Sequence, residues 1–346
     1  MSARIIDLYS DTKTKPSPGM RKAMAEAEVG DEQKFEDPTT NRLRERVCAL
    51  LGTEDAVFLP SGTMCNQIAL RVHCRPGEEV ICDRTAHIIN SEGGGTSAHA
   101  GVMVRALEGP AGIFDGAMVE AAVRDPNSRY NPRSRLVVIE QTSNGGGGTV
   151  WPLATIQEVA AVARRHNLSL HMDGARLPNA WIASNLTPAA FAAPFDSLWI
   201  DFSKGLGAPV GGVLAGSRDF IREAWRFKQM MGGSLRQSGI LTAAALYALD
   251  NNVERLREDH LNARRLAEGL AATPGIKLDL DRVQTNIIYF ELTKPGWTAP
   301  KFVDACKARN VALGAFGAKR IRVVTHLDVN RADIDNAVKI IGEVLH

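Results

Sequence analysis

The stretch LWIDFSKGLGAPVGG, Leu198 to Gly212, decides how the rest of the chain is read. An apolar run that predicts a buried strand stops at Ser203. Lys204 follows, then a loop with four glycines and a proline. A lysine between a strand end and a flexible loop is either solvated or held where chemistry happens. Working outward, short apolar strands alternate with helical patterns from about residue 55 to 215. They read as AVFLP (56–60), EVICD (79–83), RLVVIEQT (135–142), LSLHMDGA (168–175) and SLWIDFSKG (197–205). Between them, ATIQEVAAVARRHN carries Ile156, Val159, Ala160 and Ala163 on one helical face. Strands rich in Val, Ile and Leu, separated by helices, predict an α/β fold with a mostly parallel sheet covered on both faces. In such folds ligands bind at the carboxyl ends of the strands.

Beyond about residue 250 the texture changes. NNVERLREDHLNARRLAEGLAATPGI predicts one long amphipathic helix stopped by Thr273-Pro274-Gly275. TNIIYFEL and RIRVVTHL are strand-like, APKFVDACKARN is helical between them, and a last helix closes the chain. The expected organisation is an N-terminal segment over 1–50 that packs on the active site and a subunit interface, a large domain over 51–250, and a smaller α+β domain over 251–346.

Composition excludes several classes of function. With 41 Lys and Arg against 39 Asp and Glu, the formal net charge of +2 gives no electrostatic case for nucleic acid or an anionic membrane. No run of 18 apolar residues predicts a membrane span. MSARIIDLYSDTK lacks an apolar core of the secretory type, so no signal peptide is expected, and the two N-x-S/T sequences at Asn167 and Asn185 read as chance. The five cysteines, at 48, 65, 74, 82 and 306, form no C-x-x-C. Reduced thiols in a cytoplasmic protein are expected, and no metal site.

Polar residues gather at the predicted strand ends. Ser61-Gly62-Thr63 follows a strand and opens a helix, where free N–H groups and the helix dipole suit a phosphate and Thr63 adds a hydroxyl. The same residues also serve as ordinary helix caps. The G-x-x-x-x-G-K-[ST] pattern is absent, and GLGAPVGG fails the G-x-G-x-x-G spacing, so a common nucleotide loop is not indicated. Asp173, in HMDGAR, ends a strand. It is costly to bury unless paired, and Arg176 is its nearest structural partner in sequence. Lys204 ends the next strand, which in a parallel sheet puts it on the same side. A phosphate cradle, an aspartate and a lysine together match pyridoxal phosphate. That cofactor needs a lysine for its Schiff base, an anion at its pyridine nitrogen and donors for its phosphate.

With these residues in place, the sequence resembles the low-specificity L-threonine aldolases, pyridoxal-phosphate enzymes of the aspartate-aminotransferase fold (fold type I). The likeness runs through DLYSDTKTKPSPGMRKAM, VGDEQKFEDPTTN, FLPSGTMCNQIAL, TAHIINSEGGG, LHMDGARLPNA, SKGLGAPVGG, GGSLRQSGIL and IRVVTHLD, nearly the whole chain. It implies a seven-stranded-type large sheet and a homodimer or homotetramer with active sites at the subunit interface. It gives Lys204 the covalent bond to the cofactor and Asp173 the pyridinium. Ser61, Gly62 and Thr63 bind the phosphate, Ser203 and Arg176 join the cofactor site, and His87 stacks on the ring. Arg236 reaches the phosphate from the partner subunit. Ser10, Arg176 and Arg322 hold the substrate carboxylate.

Two departures stand out. Where the family reads Glu-Asn-Thr-His-Asn-Gly, this chain has Glu140-Gln141-Thr142-Ser143-Asn144-Gly145, so a serine replaces the histidine near the substrate β-hydroxyl. Lys34-Phe35 replaces Tyr-Gly before Glu36-Asp37-Pro38. The expected activity is retro-aldol cleavage of a β-hydroxy-α-amino acid to glycine and an aldehyde. His87, with a water held by Ser143, is the remaining base. β-Elimination, racemisation or transamination at the same cofactor, and non-catalytic cofactor binding, are the competing readings.

Overall fold

The computed structural model describes residues 4–346. Its strands are β1 (Ile6–Asp7), β2 (Asp55–Leu59), β3 (Glu79–Asp83), β4 (Met103–Leu107), β5 (Ser134–Glu140), β6 (Ser169–Asp173), β7 (Ser197–Asp201), β8 (Gly212–Gly216), β9 (Ile276–Lys277), β10 (Ile287–Leu292), β11 (Val311–Ala312), β12 (Gly314–Ala315) and β13 (Arg320–Val324). The large sheet has seven strands in the order β2-β8-β7-β6-β5-β3-β4. Neighbours from β7 across to β4 are parallel, while β8 runs antiparallel to both β7 and β2.

Two of these strands were not legible in the sequence. β4, MVRAL, is a sheet-edge strand interrupted by Arg105 and mostly exposed, with Leu107 alone buried. β8 begins inside the glycine-rich segment: the loop after Lys204 ends at Gly211, and Gly212 already pairs with Leu59 and Asp201.

Burial on both faces explains the continuous apolar runs. Along β5, Val137 and Ile139 join one core with Ile156, Val159, Ala160 and Ala163 of the helix Leu153–Arg165. Leu136 and Val138 face the opposite way, against Val80 and Cys82. The sheet is thus a rigid plate, and the carboxyl ends of β5, β6 and β7 bring Glu140, Asp173 and Asp201 to one edge.

A second core joins the chain termini. Ile6 and Leu8 pack with Leu266, Ile288, Phe290, Val323 and Ile341. β1 pairs in parallel with β11, and β12-β13-β10-β9 form an antiparallel sheet. The long helix expected from about residue 251 stops before Thr273-Pro274-Gly275 as expected but starts late. One helix ends at Asn251 and the next runs Leu256–Ala271. The break has a tertiary cause, since Asn252 Nδ2 donates to the Leu206 carbonyl at 2.7 Å and so ties this corner to the loop after Lys204.

Candidate active site

Lys204 sits just past β7, its carbonyl accepting from Thr14 Oγ1 at 2.8 Å. Its ammonium pairs with Asp201, whose side chain is almost fully buried, and lies 5.6 Å from the centre of the Trp199 ring. The other Asp201 oxygen accepts from the Ser203 N–H and hydroxyl, both at 2.8 Å. Asp201, itself held by Ser203, therefore fixes the ammonium end of the lysine beside the sheet edge.

Asp173, on the neighbouring strand, is 1% exposed. It does not pair with Arg176. It accepts instead from the Ala175 N–H at 3.0 Å and from Asn66 Nδ2 at 2.7 Å. Burial pushes its carboxyl up, against the pull of His87, Asn66 and Lys204. Asn66 also donates to Glu92 at 2.7 Å, and Glu92 accepts from His87 Nδ1 at 2.8 Å. That hydrogen bond raises the His87 pKa, with burial opposing it. The His87 backbone N–H donates to Glu140 at 2.8 Å.

The helix Gly62–His73 starts beside this cluster. Ser61 caps it, accepting from the Met64 N–H at 3.2 Å, and Ser61–Thr63 are at least partly exposed. A Cβ on Gly62 would fall 2.1 Å from the Trp199 ring, so only glycine lets the helix N-terminus come this close to β7.

The opposite side is built from arginines. Arg176 is buried and makes a bidentate pair with Asp11, at 2.8 and 2.7 Å. Burial alone would raise the Asp11 carboxyl, but the Arg176 guanidinium overrides it and holds the group well below the usual range. Ser10 is buried too, its hydroxyl capping a short turn through the Thr12 N–H at 3.2 Å. Arg322, on β13, donates Nη1 to Asn144 at 3.0 Å and Nη2 to the Tyr9 carbonyl at 3.4 Å. Its Nε is buried and has no partner. An unpaired buried donor of a cation is costly, and a ligand carboxylate would satisfy it.

The remaining expected residues lie apart from this convergence. The Ser143 hydroxyl accepts from the Gly146 N–H at 3.2 Å and abuts Gly112, where a Cβ would come within 2.0 Å. That hydrogen bond ties it to the glycine turn. Arg236 is exposed and pairs with Asp31 at 3.2 Å. Lys34 is exposed, and Phe35 takes a left-handed φ of 58° with its ring 5.3 Å from Trp225. The five cysteines are unpaired. Sequence reasoning missed Asp11, Asn66, Glu92, Glu140, Asn144 and Asp201. One signal was available: Asn66-Gln67 is a polar pair in an otherwise apolar helix, and both side chains are buried.

Residues 7–293 match the beta-eliminating lyase family. The chain is 40% identical to the low-specificity L-threonine aldolase 1 of Arabidopsis thaliana, over 96% of this chain and 94% of that one. It is also 40% identical to the low specificity L-threonine aldolase of Escherichia coli K12, over 95% and 96%. Among solved structures, threonine aldolase from Leishmania major superposes with a TM-score of 0.84 at 22% identity, over 99% of this chain and all of the other. A serine palmitoyltransferase solved with pyridoxal phosphate shares the fold, with a TM-score of 0.75 at 18% identity, over 98% and 87%. The fold-type I architecture, the strand-end lysine and aspartate and these near full-length identities lead to one conclusion, that the chain belongs to the low-specificity L-threonine aldolases of the beta-eliminating lyase family.

Proposed function

We propose that this protein binds pyridoxal 5'-phosphate and cleaves L-threonine, L-allo-threonine or a related β-hydroxy-α-amino acid to glycine and an aldehyde. One observation carries the reading. Lys204 and Asp173 end adjacent parallel strands, opposite an arginine whose buried Nε lacks a partner. The residues present fit the cofactor. Lys204 Nζ is the covalent anchor, Asp173 the anion for the ring nitrogen, and Gly62 opens the helix N-terminus to the phosphate. Bound there, the cofactor supplies an electron sink for the carbon that loses its β-bond.

The chain's own residues do the rest. Arg322 takes the substrate carboxylate on Nε, and Asn144 holds its Nη1 so that the guanidinium keeps one orientation. Arg176 positions Asp11, and with it the N-terminal segment that reaches the Lys204 carbonyl through Thr14. Glu92 holds His87 Nδ1, which leaves Nε2 to take the proton from the substrate β-hydroxyl. We infer further that the enzyme is a cytoplasmic homodimer or homotetramer in which Arg236 serves the partner's site. The solvent-facing Arg236, the exposed Met230 and Ile240 near it in sequence, and the exposed Phe35 near its ion-pair partner Asp31 support a subunit contact.

The test is product analysis on a panel of β-hydroxy amino acids. Glycine and aldehyde in equal amounts are expected. Ammonia with a 2-oxo acid would replace the aldolase reading with β-elimination, the activity that the wider family's name carries.

A further inference from the structure

The reaction above makes no use of His171, an imidazole in the middle of β6 that is fully buried and two residues from Asp173. Its contacts are unusually determinate. Asn66 Oδ1 accepts from the Trp199 indole N–H at 2.8 Å, and a donor-only group there fixes which end of the amide is oxygen. Asn66 Nδ2 faces two carboxylates, Glu92 and Asp173, both at 2.7 Å, which requires the same orientation. His171 Nε2 lies 3.4 Å from that oxygen and so must carry the hydrogen. Its Nδ1 is then a bare acceptor for the Ser197 hydroxyl at 2.8 Å, and Ser197 in turn accepts from His73 Nε2 at 2.7 Å. Burial holds both imidazoles neutral, lowering His171 to about 3 and His73 to about 4. The chain of contacts ends on the carboxylate that faces the cofactor.

We propose that His171 is a positioning residue for the cofactor ring nitrogen, acting through Asn66 to hold the Asp173 carboxylate in register. Turning the amide over would set an oxygen against two carboxylates and an NH2 against two N–H donors. The two carboxylates forbid that turn from one side, and Trp199 and His171 from the other. Without His171, Asn66 keeps one donor on its oxygen instead of two, so the amide and its hydrogen bond to Asp173 are held less firmly. Asp173 would then hold a protonated ring nitrogen less firmly.

This inference rests on the cofactor reading above. The experiment separates the two, since a wild type that does not bind pyridoxal phosphate overturns that reading, whereas the present one is judged on how variants bind. Cofactor affinity is measured by fluorescence for wild type, His171→Leu, His171→Gln and Asp173→Asn, and for Asp173→Asn combined with each His171 change. The 15N shift of ring-labelled cofactor reports the protonation of its nitrogen. His171→Leu should weaken binding about 3- to 10-fold, one neutral hydrogen bond's worth, and lower the protonated fraction. His171→Gln, whose amide places a donor near the lost Nε2, should recover most of both. In the Asp173→Asn background, His171→Leu should change affinity by less than about twofold, because its route to the ring is gone. Equal losses with and without Asp173, or a glutamine no better than leucine, would make His171 a structural residue only and overturn the proposal. Should His171→Leu fail to fold, Ser197→Ala serves instead. It frees His171 Nδ1 to take the hydrogen, and the same dependence on Asp173 is required of it.

Discussion

Around Asn66, at the end of the pocket where the cofactor ring is expected, the carboxamide oxygen and both amide hydrogens are engaged, and two of its acceptors are themselves held by other groups. At the substrate end, Arg322 keeps a buried Nε unpaired, and its two guanidinium hydrogen bonds go to loops, at Asn144 and Tyr9. The first end grows from β6, β7 and a helix packed on them, so its geometry is set before any ligand arrives. The second is assembled from segments more than 300 residues apart in sequence, Tyr9 and Arg322, and keeps a donor in reserve. Pre-organisation serves the group that stays, and spare hydrogen-bonding capacity serves the molecule that comes and goes.

The largest expected effect is at Lys204. Lys204→Ala removes the covalent anchor and leaves Asp201 buried without its cation. The purified wild type should be yellow, and the variant should lose both the visible band and all turnover. Borohydride reduction followed by peptide mapping should place the cofactor on Lys204. A label on another lysine would refute the assignment.

Arg322→Ala tests the other end. One charge-assisted pair is worth about 1.5–3 kcal/mol, so KM for amino acids should rise about tenfold or more while cofactor affinity stays within about twofold. Cofactor affinity falling as much as substrate affinity would mean that the two ends are not separable.

How far this division was readable from sequence follows from the same contrast. Lys204, Asp173 and Gly62 announced themselves because each interrupts an apolar run at a predicted strand end, and a strand end is a local property. Arg176 did not: its partner Asp11 is brought over by the fold, and the nearer Asp173 was the only pairing that sequence distance suggested. The late start of the helix Leu256–Ala271 was hidden for the same reason, since Asn252 is drawn to the Leu206 carbonyl by the fold. β8 was masked by the glycines that let it begin so close to β2 and β7.

Ser143 shows the limit of arguing from a motif. Where the family carries a histidine, the Ser143 hydroxyl packs on Gly112 and caps the turn at Gly146. Gly112 has a φ of 76°, in the left-handed region that favours glycine. Ser143→His should destabilise the protein by about 1–3 kcal/mol through overpacking and bring no gain in threonine turnover. Denaturant unfolding and threonine kinetics on the same preparation check this. A stable, more active variant would show that the imidazole swings into the pocket.

The smallest change at neutral pH is expected at Glu140, which joins the two ends. Its carboxylate accepts from the His87 N–H on one oxygen and the Asn144 N–H on the other, both at 2.8 Å. Burial, and then the nearby Asp173, push its pKa from 4.5 up to about 7, with the two N–H donors pulling the other way. The sign follows from proton binding. Between pH 4.5 and 7 the native protein holds a proton that the unfolded chain has released, so this group's contribution to stability is fully present below pH 4.5 and is lost as pH rises toward 7. Glu140→Gln cannot titrate, and its NH2 faces one of the two N–H donors. The variant should therefore be less stable than wild type at pH 5, and the gap in unfolding free energy should narrow as pH is raised to 7.5. Thermal or urea unfolding of both proteins across that range reads the difference directly, other titrating groups cancelling in the comparison. A gap that stays constant would mean that Glu140 is already ionised at pH 5. The ring end and the substrate end would then be joined by a fixed anion rather than by a group that changes its charge near neutrality.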